Sequence, residues 1–88
     1  MNTLEKDFEK AVEDIKKIAN DLKKNDALQL YGLYKQANFG KNTALKPSIF
    51  NFKGWQKWNA WTAVSELSSD EAKTQYISLV KKIKEDLI

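Results

Sequence analysis

Tyr31, Tyr34 and Lys35 stand at i, i+3 and i+4, a spacing that on an α-helix brings side chains to one face. Two phenols and an ammonium aimed the same way suit a nucleotide phosphate: aromatic rings stack on a base, while hydroxyls and a cation satisfy phosphate oxygens. The same spacing also describes two half-buried packing tyrosines with a solvated lysine at the rim, the commoner use of aromatics on a helix.

The elements that would hold these residues are helical throughout. Leu4, Phe8, Ala11, Val12, Ile15, Ile18, Ala19 and Leu22 fall on a stripe of 3.6-residue period opposite a face of mixed charge, which predicts a first amphipathic helix. Asn2 is placed to cap it, with Glu5 three residues later favouring a capping box. A polar break at Lys23-Lys24-Asn25-Asp26 follows, where Asn25 or Asp26 can cap a second helix carrying Ala27, Leu28, Leu30, Tyr31, Leu33, Tyr34 and Ala37, closed by Gly40. From about Phe39 to Phe50 the periodicity dissolves, and Pro47 biases Lys46 to an extended conformation. A connection of about a dozen residues in so small a domain is commonly functional or a crossover between non-adjacent helices. Asn51 can cap a third helix bearing Trp58, Trp61 and Val64. Ser68 with Glu71 forms a capping box for a fourth, whose buried stripe is Ala72, Tyr76, Leu79, Val80, Ile83 and Leu87. No strand, internal repeat or low-complexity tract stands out.

Composition bounds the chemistry. The 88 residues make one domain, 1–88, and 42% hydrophobic residues suffice for a single modest core. With no cysteine and no histidine, disulfides, thiol chemistry, the usual zinc ligands and the commonest general base are all removed. No apolar run approaches a membrane span, and the polar start Met1-Asn2-Thr3-Leu4-Glu5-Lys6-Asp7 reads as no secretory signal, so a cytoplasmic address is expected. The net charge is +3 and every basic residue is lysine, which meets phosphate as a mobile point charge rather than as a bidentate fork. Acidic residues are interleaved with lysines in the first helix, unlike the segregated excess of a nucleic-acid binder.

About twenty positions beyond Tyr31 comes Phe52-Lys53-Gly54-Trp55-Gln56-Lys57-Trp58-Asn59-Ala60-Trp61. Together with Tyr31-Gly32-Leu33-Tyr34-Lys35-Gln36-Ala37, it resembles the signature of the acyl-CoA-binding protein family. The resemblance extends over essentially the whole chain without an internal gap, taking in Phe8, Lys16, Gly40, Pro47 and Tyr76, and it favours a site over simple packing. It implies an all-α, four-helix bundle of up-down-down-up topology with a long loop between helices 2 and 3, where sequence pattern alone chooses no topology.

Residue by residue, the resemblance implies that Tyr31, Lys35 and Lys57 hold the 3′-phosphate of the CoA adenosine, that the ring of Tyr34 packs on adenine, and that Tyr76 touches the nucleotide from the last helix. Lys16 and Lys53 match basic positions at the mouth of the site. Val12, Ala27 and Leu28 lie where family members line the acyl slot, although packing between helices explains each of them equally well. A phosphomonoester carrying about −1.5 to −2 charges needs clustered donors and cations rather than one lysine.

Departures from the family pattern are Lys41 where an acidic residue often follows the loop glycine, Asn59 where aspartate often separates the tryptophans, Ser48 where glycine is frequent, and Trp55 where lysine is common. Trp55 should lie about 160° around the third helix from Lys57, since two residues advance about 200°, and so should not touch the nucleotide.

The reading is a monomeric carrier that binds, buffers and transports medium- to long-chain acyl-CoA esters without covalent chemistry, metal or cofactor, acyl-CoA being its ligand. Transient contact with a membrane or an acyl-CoA-using enzyme fits this reading; nucleic acid does not. The alternative is a helical protein-interaction or regulatory domain without a lipid ligand. Catalysis is rejected, because Glu13-Asp14 and Asp70-Glu71 are adjacent pairs that diverge on a helix and are explained by solvation or capping.

Overall fold

The computed structural model describes residues 3–87, which form α1 (Thr3–Lys17), a short 3₁₀ turn (Ala19–Asp21), α2 (Lys24–Phe39), α3 (Phe52–Thr62) and α4 (Ser69–Asp86). None of these helices is long and apolar enough to cross a membrane. The proposed cap Asn2 lies outside the described residues.

Side-chain contacts give the topology directly. Glu5 pairs with Lys73, the rings of Phe8 and Tyr76 meet edge to face at 5.1 Å, and Lys84 Nζ donates to Asp14 at 2.9 Å. Residue numbers on α1 and α4 therefore rise together, and the two helices run parallel. On α2 and α4 they run oppositely, because Ser69 Oγ donates to the Ala37 carbonyl at 2.7 Å while Tyr34 faces Tyr76 with ring centroids 6.4 Å apart. On α2 and α3 they rise together again: Lys24 lies over Phe52, Lys57 over Tyr31 and Lys35 over Trp61. The order is up-down-down-up. Two consecutive parallel helices oblige the chain to travel back along α2, whose 16 residues measure about 24 Å. The segment 40–51 does this comfortably, since a dozen extended residues reach about 40 Å.

The core gathers Phe8 and Ala11 from α1, Leu30, Leu33 and Ala37 from α2, and Ala72, Tyr76, Val80 and Ile83 from α4. No residue of α3 is fully buried; that helix lies on the outer side of α2. Gln36 is the one buried polar side chain among the described residues, and both its amide nitrogen and its amide oxygen are hydrogen-bonded. Its Nε2 donates to the carbonyls of Ser65 and Leu67 at 3.3 and 2.8 Å, and its Oε1 accepts from Trp61 Nε1 at 3.2 Å. One amide thereby ties α2 to α3 and to the turn that leads into α4.

Several local expectations need correction. The stripe of the first helix continues past its end: Ile18 and Leu22 pack against the core from the 3₁₀ turn and its edges, while Ala19 is solvent-exposed. Asn20 and Asp21, poor helix formers that compete for backbone bonds, sit where the chain turns. The second helix begins at Lys24 after an extended Lys23 with no side-chain cap, because Leu22 is held by the core and fixes where the chain can turn upward. Asn25 and Asp26 consequently fall within the first turn, where Asp26 complements the N-terminal dipole. Val64 lies beyond the end of α3 but still packs on the core, and Leu87, at the frayed end of α4, is exposed.

The other caps agree with expectation. Asn51 Oδ1 accepts from the Gly54 N–H at 3.0 Å, and Gly40 closes α2 with φ 75° and ψ −154°, a conformation open essentially only to glycine. Ser68 and Glu71 form the reciprocal capping box. The Ser68 backbone and hydroxyl bonds hold the Glu71 carboxyl below the usual glutamate range. A depressed folded-state pKa contributes stability that is complete above the ordinary glutamate value and is lost as pH falls through the folded one. Ser68→Ala should therefore lower the melting temperature at neutral pH and flatten the acid limb of a plot of melting temperature against pH.

Candidate functional site

Between the first turns of α2 and α3 lies an open groove of about 310 Å³, lined by Lys24, Ala27, Leu28, Tyr31, Lys53, Gln56 and Lys57. The parallel register of the two helices produces it. Positions four apart on α2 (Ala27 and Tyr31) face positions four apart on α3 (Lys53 and Lys57), so two rows of side chains meet across one cleft. The close approach of α2 and α3 is possible because Gly32 is packed against the Ala60–Trp61 backbone. Five of the residues singled out from sequence, Ala27, Leu28, Tyr31, Lys53 and Lys57, are thus brought together.

The cations gather at one end of the groove. Lys57 Nζ lies 5.5 Å and Lys35 Nζ 5.9 Å from the centroid of the Tyr31 ring, and Lys35 also sits over Phe39 and Trp61 at 4.6 and 5.3 Å. Neither lysine is paired with a carboxylate among the described residues. Two ammonium groups share one phenol ring, an arrangement that opposes like charges unless an anion joins them.

The Tyr31–Tyr34–Lys35 trio does not point one way. Tyr31 and Lys35 turn to α3, whereas Tyr34 turns to α1 and α4, its ring centroid 6.1 Å from Phe8 and 6.4 Å from Tyr76. Helical geometry accounts for the split, since i+3 and i+4 are about 100° apart around the axis. The two tyrosines of this second cluster differ in exposure: Tyr34 is 40% accessible and Tyr76 only 4%. Burial, with a smaller contribution from Tyr34, pushes the Tyr76 hydroxyl up to about 12. That hydroxyl stays neutral and donor-competent at any physiological pH. It reaches the molecular surface, and among the described residues it has no hydrogen-bond partner.

Val12 and Lys16 are not part of the α2–α3 groove. Val12 lines a separate depression with Phe8, Tyr34 and Asn38, and Lys16 pairs with Glu13 at 3.2 Å near the end of α1. Val12 thus lies on the Tyr34 side of α2, and Glu13, the partner of Lys16, lines the same depression. Trp55 is turned away from the Tyr31–Lys57 cluster. It meets Trp58 edge to face at 5.8 Å, and Lys46 of the connecting segment lies over both indoles at 5.6 Å. Trp58 and Trp61 are half-buried and act largely through their N–H groups, which donate to the carbonyls of Ala44 and Gly40 at 3.0 and 2.8 Å. With Asn42, whose amide donates to the Trp58 carbonyl and Thr62 hydroxyl, they pin the first half of the segment to α3.

Sequence reasoning missed a second hollow, of about 430 Å³, on the α4 side of the α2–α3 contact. Its apolar lining is Leu28, Leu33, Ala60, Ala63 and Val64, and Leu28 and Gln56 border both it and the groove. Small residues at 60 and 63, one turn apart beside Gly32, were the available signal: they leave space where larger side chains would fill the contact.

Residues 5–80 match the model of the family described as acyl CoA binding protein. The chain is 45% identical over 82 residues to an acyl-CoA-binding protein of Brassica napus, covering 93% of this chain and 89% of that one. It superposes on the crystal structure of Oryza sativa acyl-CoA-binding protein 2 with a TM-score of 0.93 and 42% identity, over 97% of this chain and 92% of that chain. It is also 37% identical to part of enoyl-CoA delta isomerase 2 of Rattus norvegicus, matching 94% of this chain but only 21% of that enzyme.

Proposed function

The chain belongs to the acyl-CoA-binding protein family, and on that premise we propose that it binds long-chain acyl-CoA esters reversibly and shields them as a cytoplasmic carrier. The observation that carries the reading in the geometry is the pair of carboxylate-free lysines, Lys35 and Lys57, on the Tyr31 ring at one end of an apolar groove. The 3′-phosphate sits between the two ammonium groups, where the charge it brings relieves their mutual repulsion. Adenine lies along Tyr34, with the neutral Tyr76 hydroxyl as donor. Lys53, with Lys24, serves the pantetheine and pyrophosphate end. The acyl chain follows Ala27 and Leu28 and passes Gln56 into the hollow floored by Leu33, Ala60, Ala63 and Val64.

Binding of this kind needs no acid, base or metal from the protein, and the site supplies only cations, phenols and apolar surface. The isomerase relative keeps the same reading, because about four-fifths of that enzyme lies outside the stretch this chain matches.

Calorimetric titration with CoA, short- and long-chain esters and the matching free fatty acids tests the division of labour. Headgroup contacts are common to all esters, so only the apolar path distinguishes lengths, at up to about 0.8 kcal/mol per methylene removed from water. Affinity should climb with chain length and level off once the hollow is filled, and the fatty acid should bind far more weakly than its ester. Equal affinity for CoA and its long-chain ester would reduce the protein to a nucleotide binder; equal affinity for ester and fatty acid would reduce it to a lipid binder.

A further inference from the structure

The segment that joins α2 to α3 has a second half unlike its first. Residues 40–44 are hydrogen-bonded onto α3, but Leu45, Ile49 and Phe50 project into solvent with accessibilities of 93, 77 and 91%. None of the three lines the groove or the hollow. Phe52 at the start of α3 is likewise exposed, and Lys24 of the groove lies over it at 5.4 Å. Large apolar side chains scattered singly over a surface are ordinary, but four of them exposed within the one stretch 45–52 are a concentration of the kind that marks an interaction site.

The charge around them is of one sign. Every aspartate and glutamate lies at or before Asp26 or at or after Glu66, so the stretch 27–65 holds Lys35, Lys41, Lys46, Lys53 and Lys57 and no carboxylate at all. The modest net +3 of the whole chain conceals this segregation. Lys41, Lys46 and Lys53 are solvent-exposed and flank the apolar projections along the segment.

We propose that the 41–53 segment is a docking element for an anionic lipid bilayer, with Leu45, Ile49 and Phe50 entering the interface and Lys41, Lys46 and Lys53 resting on acidic headgroups. Apolar tips inside a collar of lysines match the two layers of a bilayer surface, apolar beneath and negatively charged above. A partner helix would need a concave apolar groove, which these separately projecting side chains do not form. Single-stranded nucleic acid would use aromatic faces, and Leu45 and Ile49 have none. A second copy docked on the same face would set one lysine collar against another. Docked this way, the segment brings the groove end bearing Lys24 and Lys53 to the bilayer, where an amphiphile could pass between the two without crossing water. Of the docking residues only Lys53 also lines the groove; Leu45, Ile49, Phe50, Lys41 and Lys46 lie outside it, so the docking holds with the groove empty.

Vesicle flotation of the ligand-free protein decides it, using phosphatidylcholine alone and phosphatidylcholine mixed with phosphatidylserine. Binding should appear on the mixed vesicles and fall steeply as salt is raised. Lys41→Gln should weaken it about fivefold, and the triple change Leu45→Ser, Ile49→Ser, Phe50→Ser by on the order of tenfold or more. The triple variant should keep its melting temperature and its calorimetric affinity for a long-chain ester, because those residues touch neither core nor groove. That separates failure of the docking proposal from failure of the ligand reading. Equal binding to neutral and mixed vesicles, no binding to either, or undiminished binding by the triple variant would overturn the proposal. So would self-association in sedimentation velocity that the triple change abolishes, which would give the apolar tips to a second copy.

Discussion

Replacing Gly32 by alanine should unfold this protein at a temperature on the order of 10 °C lower, although the same change in an isolated helix would be stabilising. Glycine in a helix interior is about 1 kcal/mol worse than alanine, so propensity alone predicts a gain. The α2–α3 contact reverses the sign. A Cβ on Gly32 would collide with the carbonyl group of Ala60 and lie 3.2 Å from the Trp61 nitrogen. These are backbone atoms inside a helix, which cannot rotate aside as a side chain can. Relief requires α3 to move off α2, and overpacking of that kind costs about 1–3 kcal/mol or more, which for a domain of this size converts to about 4–8 °C per kcal/mol. Tyr31 immediately precedes Gly32 and faces Lys57, one turn before Ala60 and Trp61, so acyl-CoA affinity should fall with stability. Gly54→Ala is the control: its Cβ would meet the end of the Asn51 side chain, which can swing away at the cost of a cap bond. Thermal melts of the two variants decide the matter. An unchanged or raised melting temperature for Gly32→Ala would mean that the two helices are not held at this separation.

What could be read from the chain and what could not divide along a physical line. The Ser68–Glu71 and Asn51 caps are local and the structure keeps them, and it keeps the helix-period stripes except at their ends, where Ala19 and Leu87 are exposed and Ile18, Leu22 and Val64 pack from outside the helices. Lys24 as the start of α2 was illegible because the Leu22 side chain, packed against the core ahead of the helix, outweighs the capping preference of Asn25 and Asp26. The split of Tyr34 from Tyr31 and Lys35 was legible in principle from the 100° step but hidden by treating i+3 and i+4 as one face. Lys16 and Val12 share helix α1 with Phe8, and only tertiary packing shows that Val12 lies beside Tyr34 and that Lys16 pairs with Glu13 rather than lining the α2–α3 groove. Gln36 carries no sequence signal of its role. Its three partners, at Trp61, Ser65 and Leu67, come from chain 25 to 31 residues away. Charge segregation, by contrast, was present in the sequence and masked by the net value, a reminder that charge acts over a Debye length of about 8–10 Å and not over a whole chain.

Removing either lysine of the Tyr31 cluster should leave a folded protein with a much weaker grip on acyl-CoA. Each charged hydrogen bond to a phosphate contributes about 1.5–3 kcal/mol, so Lys57→Ala or Lys35→Ala should raise Kd by about 10- to 150-fold. The two are not equivalent in the fold. Lys57 is exposed and its loss should barely move the melting temperature, whereas half-buried Lys35 lies over Tyr31, Phe39 and Trp61, and its loss should cost a few degrees through cation–π contacts of about 0.5–1 kcal/mol. Because both ammonium groups face one anion, the double variant should not show the sum of the single losses. Ligand chemistry completes the cycle. An ester of dephospho-CoA should bind the unmodified protein with about the deficit of the double variant, since both lysines lose their anion, and Lys57→Ala should then make almost no further difference. Should that variant lose the same factor against both ligands, Lys57 would be acting on some other part of the nucleotide, and the 3′-phosphate would have to be placed elsewhere along the groove.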